Sequence, residues 1–297
     1  MKTEFYEILI VGVVRNSEKS IAKEIQRLKN AFENLGEKLS FYIVESDSMD
    51  NTVDVLKQIK NSNSNFDFIS LGTLEGIYPN RVKRLKFCRD YYVKEIRKRN
   101  LSNIDLVVVA DLDGINSKLK SDSFKFFEEV DFEWDGLFAN QKGPYYDIAA
   151  LRHPFWSPND CFQSANWWSK YDGKYHAAIR EVFQRMIKLH PSSEKIRVES
   201  AFGGLALYRP WVFNKSKYSY GGGLENPEID HVIFNKKITS LDGKLFIIPG
   251  MINGGWNNHS IGKIKILSLF RGILIRFPIL KPFRKILRNL KDLWLNY

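Results

Sequence analysis

"DLVVVADLDG", residues 105–114, decides how the chain is read. Leu106 to Val109 are apolar, mostly β-branched and without polar alternation. A run of this kind fits a strand buried on both faces, as in a parallel sheet covered by helices. It ends in two aspartates one residue apart, Asp111 and Asp113, and then Gly114. Asp and Gly also make turns, so the pair alone leaves two readings open. The flanking sequence weighs between them.

Working back from this strand, the pattern alternates. Ile8 to Val14 reads as a strand, followed by a helix in which Ile21, Ile25, Leu28, Phe32 and Leu35 recur at four, three, four and three. Asn16 or Ser17 could cap it and Gly36 could stop it. Phe41 to Val44 is a second strand, and Asp50 could cap the helix that runs through Leu56 and Ile59. Phe66 to Leu71 is a third strand. A longer helix is expected from about Asn80 to Lys98, with Val82, Leu85, Cys88, Tyr92 and Ile96 inward. Repeated strand–helix units predict an α/β fold with a mostly parallel, doubly wound sheet flanked by helices. Ligands of such sheets bind beyond the carboxyl ends of strands. Arg15, Glu45 and Asp111 each fall just past such an end.

Two nucleotide signatures are missing. No G-x-G-x-x-G follows the first strand, and no G-x-x-x-x-G-K-[ST] occurs. A diphosphate would need another counter-charge. Two carboxylates in D-x-D can hold Mn²⁺ or Mg²⁺ through hard oxygens. Such a metal stabilises a leaving diphosphate as a Lewis acid.

Composition narrows the classes. The chain has 297 residues, 44% of them hydrophobic, and a formal net charge of +11. The charge is local: Ile261 to Tyr297 carry nine Lys and Arg against Asp292 alone. That distribution argues for a basic tail and against a nucleic-acid-binding body. The tail alternates Leu, Ile, Phe and Trp with Lys and Arg, and Pro278 and Pro282 interrupt it. It is expected to lie on an anionic membrane surface, or else to pack on the body or a second copy. The two cysteines, Cys88 and Cys161, give no disulfide framework. The N-terminus lacks a signal-peptide pattern. A cytoplasmic protein, peripheral at the inner face of the membrane, is the expectation.

The strand, "ESDSMDNT" (45–52), the Arg-rich helix and "VVADLDG" in this order resemble the GT-A type of nucleotide-sugar-dependent glycosyltransferase. The likeness is to the capsule-associated, cryptococcal-type α-mannosyltransferases and their bacterial relatives, over roughly residues 5–260. It implies a GT-A, Rossmann-like fold with a nucleotide-sugar half (1–115), an acceptor-binding half of the same domain (116–260) and the tail (261–297). It implies a transferase moving a sugar, such as mannose, from a nucleotide diphosphate donor to a hydroxyl of a cell-surface glycan or lipid-linked glycan precursor.

The resemblance also assigns residues. Glu45 would contact base or ribose, though "ESDSMDNT" could simply shape a turn. An arginine of "NRVKRLKFCRDYY" would reach the donor phosphates, with Arg81 preferred and Arg89 second; the rest of that charge run would be a solvated face. Asp111 and Asp113 would hold the metal, with His259 of "INGGWNNHS" as third ligand and His231 its rival. "FGGLALYRP" would bring Gly203 and Gly204 beside the acceptor, or form a bulge. In "GGGLENPEIDHVIFN", Asn226, Pro227 and Glu228 read as the start of a helix. Asp230 would be the base on the acceptor hydroxyl, or merely complement the helix dipole. Asp147 and Arg152 are candidates for donor-sugar hydroxyls, and Trp167 and Trp168 for an acceptor-stacking wall. Two other readings remain: a nucleotidyltransferase that makes the activated sugar, and a non-catalytic membrane-surface binding protein.

Overall fold

A computed structural model of the chain describes residues 5–99, 103–129 and 131–256. In the first part, β1 (Phe5–Val14), α1 (Ile21–Phe32), β2 (Gly36–Glu45), α2 (Thr52–Ser62), β3 (Phe66–Ser70), α3 (Arg81–Lys98) and β4 (Leu106–Ala110) alternate. The second part is less regular: a 3₁₀ segment (Ser121–Glu129), β5 (Gly136–Gln141), α4 (Cys161–Asp172), α5 (Lys174–Ala178), β6 (Ile196–Val198), β7 (Leu205–Tyr208), α6 (Trp211–Lys215), α7 (Asp230–Thr239) and β8 (Leu245–Gly254). One sheet joins both parts in the order β3-β2-β1-β4-β7-β5-β8-β6. The fold is α/β, with a mostly parallel sheet flanked by helices. β1 pairs in parallel with β2 and β4, β2 with β3, and β5 with β8. β7 runs antiparallel to β4 and β5, and β6 to β8.

Strand alternation explains why the central run is apolar throughout. Leu9, Val11, Val107 and Val109 point to one core, with Cys88, Tyr92 and Ile96 of α3 and Phe234 of α7. Ile8, Ile10, Leu106 and Val108 point to the other, with Ile21, Ile25, Leu28 and Phe32 of α1. Both sheet faces are covered, so neither can be polar.

Several boundaries differ from the sequence expectation. α1 stops at Phe32, and Gly36 opens β2 rather than ending a helix. A Cβ on Gly36 would meet Ile8 at 2.9 Å, so close strand packing is what fixes a glycine there. Asp50 accepts from Thr52 N–H at 3.0 Å one residue ahead of the α2 cap position, which Asn51 fills. Asn80 caps α3 as expected, accepting from Val82 and Lys83. Val82 itself lies exposed. Asn226 to Glu228 do not start a helix; α7 begins at Asp230. The Asn226 side chain instead accepts from Glu228 N–H at 3.0 Å and donates to Gly221 O at 2.9 Å, a local bond pattern that competes with helix initiation.

Candidate active site

β1, β2 and β3 end side by side, and their loops interlock there. Arg15 Nε donates to Asp47 O at 3.1 Å, and its guanidinium lies 3.6 Å from Glu75. Asn16 and Asp47 hold positive φ values of 48° and 58° without being glycine. Such residues persist only where neighbours over-determine them. Asn16 N–H bonds Ser48 Oγ, and Asp47 accepts from both Leu74 and Glu75 N–H at 2.8 Å. Burial works to raise the Asp47 carboxyl, but these donors and Arg84 hold it below the usual range. Glu45 is buried and serves the same loop, accepting from Ser48 N–H at 2.9 Å and from the Ser70 hydroxyl.

The basic helix α3 departs most from expectation. Arg81 is exposed in its first turn, whereas Arg84, Lys86 and Arg89 are buried. Arg84 binds the carbonyls of Tyr78 and Pro79 at 2.8 and 2.9 Å. Lys86 donates to Asn226 O, and burial pushes its ammonium below the usual lysine range. The Arg89 guanidinium bonds Asp230 and reaches Asp111 at 3.5 Å. The rings of Phe202 and Tyr218 stand 5.9 and 5.7 Å from its Cζ, within cation–π range. Of the two arginines expected to reach donor phosphates, Arg81 stays exposed and Arg89 is the one beside Asp111. A signal existed: Leu85, Arg89, Tyr92 and Ile96 repeat at four, three and four, which puts Arg89 on the inward stripe.

Carboxylates gather around Arg89. Asp111 follows β4, its N–H bonded to Gly204 O at 2.9 Å and its carbonyl held by Asn116 at 2.8 Å. Its side chain remains 29% exposed. Burial pushes the carboxyl up to about 7 against the pull of Arg89, and Asp113, Asp147 and Asp230 add to the rise. Asp113 is exposed and accepts from Ile115 N–H at 3.2 Å. Asp147 accepts from Gly203 and Ala150 N–H at 3.1 and 3.3 Å, and burial raises its carboxyl too. Gly203 and Gly204 hold φ of 69° and 83°, where a side chain is strained. A Cβ on either would lie 2.7 Å from the chain's own atoms, Ala139 O and Ile115 Cγ2 respectively. Their close approach is to this fold's own backbone and side chains, beneath the D-x-D segment.

Asp230 opens α7 with both oxygens engaged, one by Arg89 and one by His231 N–H at 2.9 Å. Burial favours its neutral form, but Arg89 overcomes this and holds the carboxyl below the usual range. A general base works best with a pKa near the operating pH, so the geometry makes Asp230 the counter-ion of Arg89 before it makes it a base. His231 stacks on Phe202 at 3.7 Å, and among the described residues neither ring nitrogen has a hydrogen-bond partner. Burial keeps it neutral.

Among the described residues, no three of His, Cys, Asp and Glu gather as a metal-binding group. His259 lies outside the described residues, as does the tail 261–297. Asp111 and Asp113 still offer oxygen donors that fit a hard divalent cation, with Asp147 and Asp230 near enough to act on Asp111. Arg152 is buried and bonds the carbonyls of Ala149 and Leu151 and the carboxylate of Asp160. It thereby ties the Asp147 segment to the cap of α4, because Asp160 accepts from Phe162 and Gln163 N–H. Trp167 and Trp168 lie on α4 beside Tyr171.

No protein-family model matches the sequence, and no curated protein matches it. Solved structures with a similar course of chain include Staphylococcus aureus TarS 1-349, at 14% identity, 81% of this chain, 57% of that one and a TM-score of 0.41. The same TarS fragment in complex with UDP gives 14%, 87%, 63% and 0.44. Glucosyl-3-phosphoglycerate synthase from Mycobacterium tuberculosis, in complex with Mn²⁺, UDP and glucosyl-3-phosphoglycerate, gives 12%, 89%, 75% and 0.42. This chain thus spans about six-tenths of the TarS fragments. Likenesses at this level assign neither activity nor ligand to it.

Proposed function

We propose that the chain is a metal-dependent glycosyltransferase of the GT-A type, using a nucleoside diphosphate sugar as donor. The observation that carries the reading is the D-x-D pair at the end of central strand β4, with Asp111 facing buried Arg89. Asp111 and Asp113 would hold Mn²⁺ or Mg²⁺, with His259 as a candidate third ligand. When bound, the metal supplies Lewis-acid stabilisation to the leaving diphosphate. The interlocked loops after β1–β3, with Arg15 and Glu45, form the nucleoside side. Arg89 steadies Asp111 and keeps Asp230 ionised, and Asp147 offers a half-buried carboxyl to a sugar hydroxyl. The sequence resemblance favours a hexosyl, specifically mannosyl, donor. It also favours a hydroxyl of a cell-surface glycan precursor, lipid-linked at the inner face of the membrane, where the basic tail 261–297 would rest.

The test is release of nucleoside diphosphate from a panel of nucleotide sugars by the purified full-length protein, with Mn²⁺ or with EDTA. Metal-dependent release from one donor, abolished by Asp113→Asn with the circular dichroism spectrum unchanged, is the expected result. Equal release in EDTA rejects the metal. Pyrophosphate release from a nucleoside triphosphate and a sugar phosphate would make the protein a nucleotidyltransferase instead.

A further inference from the structure

We propose that the aromatic face of α4 is a bilayer-interface contact, a second anchor to an anionic membrane surface beside the basic tail. Only Cys161 of α4 is fully buried. Trp167, Trp168 and Tyr171 are 49%, 38% and 70% exposed, and their rings meet one another. Clusters of this kind mark interaction sites rather than ordinary surface. Lys170 and Lys174 are exposed within the same stretch, and the Arg180 guanidinium lies 4.3 Å above Trp168. Rings with polar tips, interleaved with cations, suit the boundary between headgroups and acyl chains.

The cluster's geometry favours a bilayer over a glycan. Trp167 and Trp168 meet edge-to-face at 89°, so they form no common stacking platform for a pyranose. Arg180 covers one face of Trp168. An interface needs only rims and tips.

A second observation concerns where the chain leaves the described fold. Trp256, the last described residue, lies against Gly143: a Cβ there would be 3.2 Å from its ring. Two residues on, Tyr145 N–H bonds Ile187 O at 2.8 Å, and Trp156 Nε1 bonds Arg185 O at 2.7 Å. Residues 257–297, which follow Trp256 in the sequence, carry nine Lys and Arg. The excursion between β5 and β6 that carries α4 also supplies Asp147. Attraction of tail cations to anionic lipid is worth about 1 kcal/mol per residue near the surface and is screened by salt. Aromatic insertion on α4 adds a part that salt does not remove. Among the described residues no helix is long and apolar enough to cross a membrane, so the contact is superficial.

The test needs no donor or acceptor, so it is independent of the transfer chemistry. Full-length protein is sedimented with vesicles of phosphatidylcholine and phosphatidylglycerol, at low and high salt. Wild type is expected to bind and to keep a salt-resistant fraction. Trp167→Ser combined with Tyr171→Ser should weaken binding about tenfold, equivalent to about 1.4 kcal/mol, and lose the salt-resistant fraction. Tyr171→Ser alone, at the most open position of the cluster, should lose part of it and serves if the double variant folds poorly. Unchanged vesicle binding in a folded variant overturns the proposal. So does unchanged binding accompanied by a change in oligomeric state.

Discussion

The two parts of the sheet are built on different principles. From β1 to β4, every strand is followed by a helix that packs on its own neighbours. From β5 to β8, strands enter from distant segments, two of them antiparallel to their neighbours, and long excursions intervene. The first part supplies scaffold and the second supplies partners. Asp111 comes from the first and Asp147 and Asp230 from the second, and Arg89 of α3 ties the two across 141 residues of chain. The site is the seam, so its chemistry depends on contacts that no local pattern encodes.

The sharpest way to break the seam is Arg89→Met. Removing one partner of a buried pair leaves a carboxylate uncompensated, which costs about 3–5 kcal/mol. Thermal melting should fall accordingly, and a loss below about 1 kcal/mol would mean that the halves hold without it. Next, Asp230→Asn separates two roles. As counter-ion of Arg89, its loss should lower stability while kcat stays within about tenfold of wild type. A general base would cost about 10²–10⁴ in rate. The depressed carboxyl of Asp230 argues for the first outcome.

A pH series sharpens the comparison further. Folded, metal-free protein keeps a proton on Asp111 up to about pH 7. The unfolded chain releases it near the ordinary value of about 4. The folded state thus binds more protons in that window, and the Asp111 contribution to stability falls as pH rises from about 4 to about 7. Asp111→Asn should therefore melt above wild type at pH 8 and close to it at pH 4, read by calorimetry with EDTA present. A gap independent of pH would contradict this. The smallest effect is expected at His231, whose ring nitrogens have no partner among the described residues. His231→Phe keeps a ring against Phe202 and removes unpaired polar atoms, so stability should hold or rise by about 1 kcal/mol. A loss of more than that would mean that a bound water satisfies the imidazole.

What the sequence disclosed follows the same division. Periodicity located β1, α1, β3, α3 and β4 because the apolar pattern of each is local. Gly36 misled because a glycine that stops a helix and one that lets strands approach look alike. Asn226-Pro227-Glu228 carried a helix-start pattern, but Asn226 bonds its own loop and Lys86 holds its carbonyl, so α7 waits until Asp230. Arg81 and Arg89 belong to one charge run, yet Arg89 lies inside because α3 packs against α7. Asp111 was legible from its strand. That Arg89 and Asp230 meet was not, since ion pairing between α3 and α7 leaves no mark in either segment alone.

The most direct test of the site is calorimetric binding of nucleoside diphosphates with Mn²⁺ and with EDTA, in wild type and in Asp113→Asn. At least about tenfold tighter binding with Mn²⁺, or about 1.4 kcal/mol, is predicted for wild type, and this gain should vanish in the variant. Binding of equal strength in EDTA, or a metal effect that survives Asp113→Asn, would contradict the assignment of the D-x-D pair to a metal-held diphosphate.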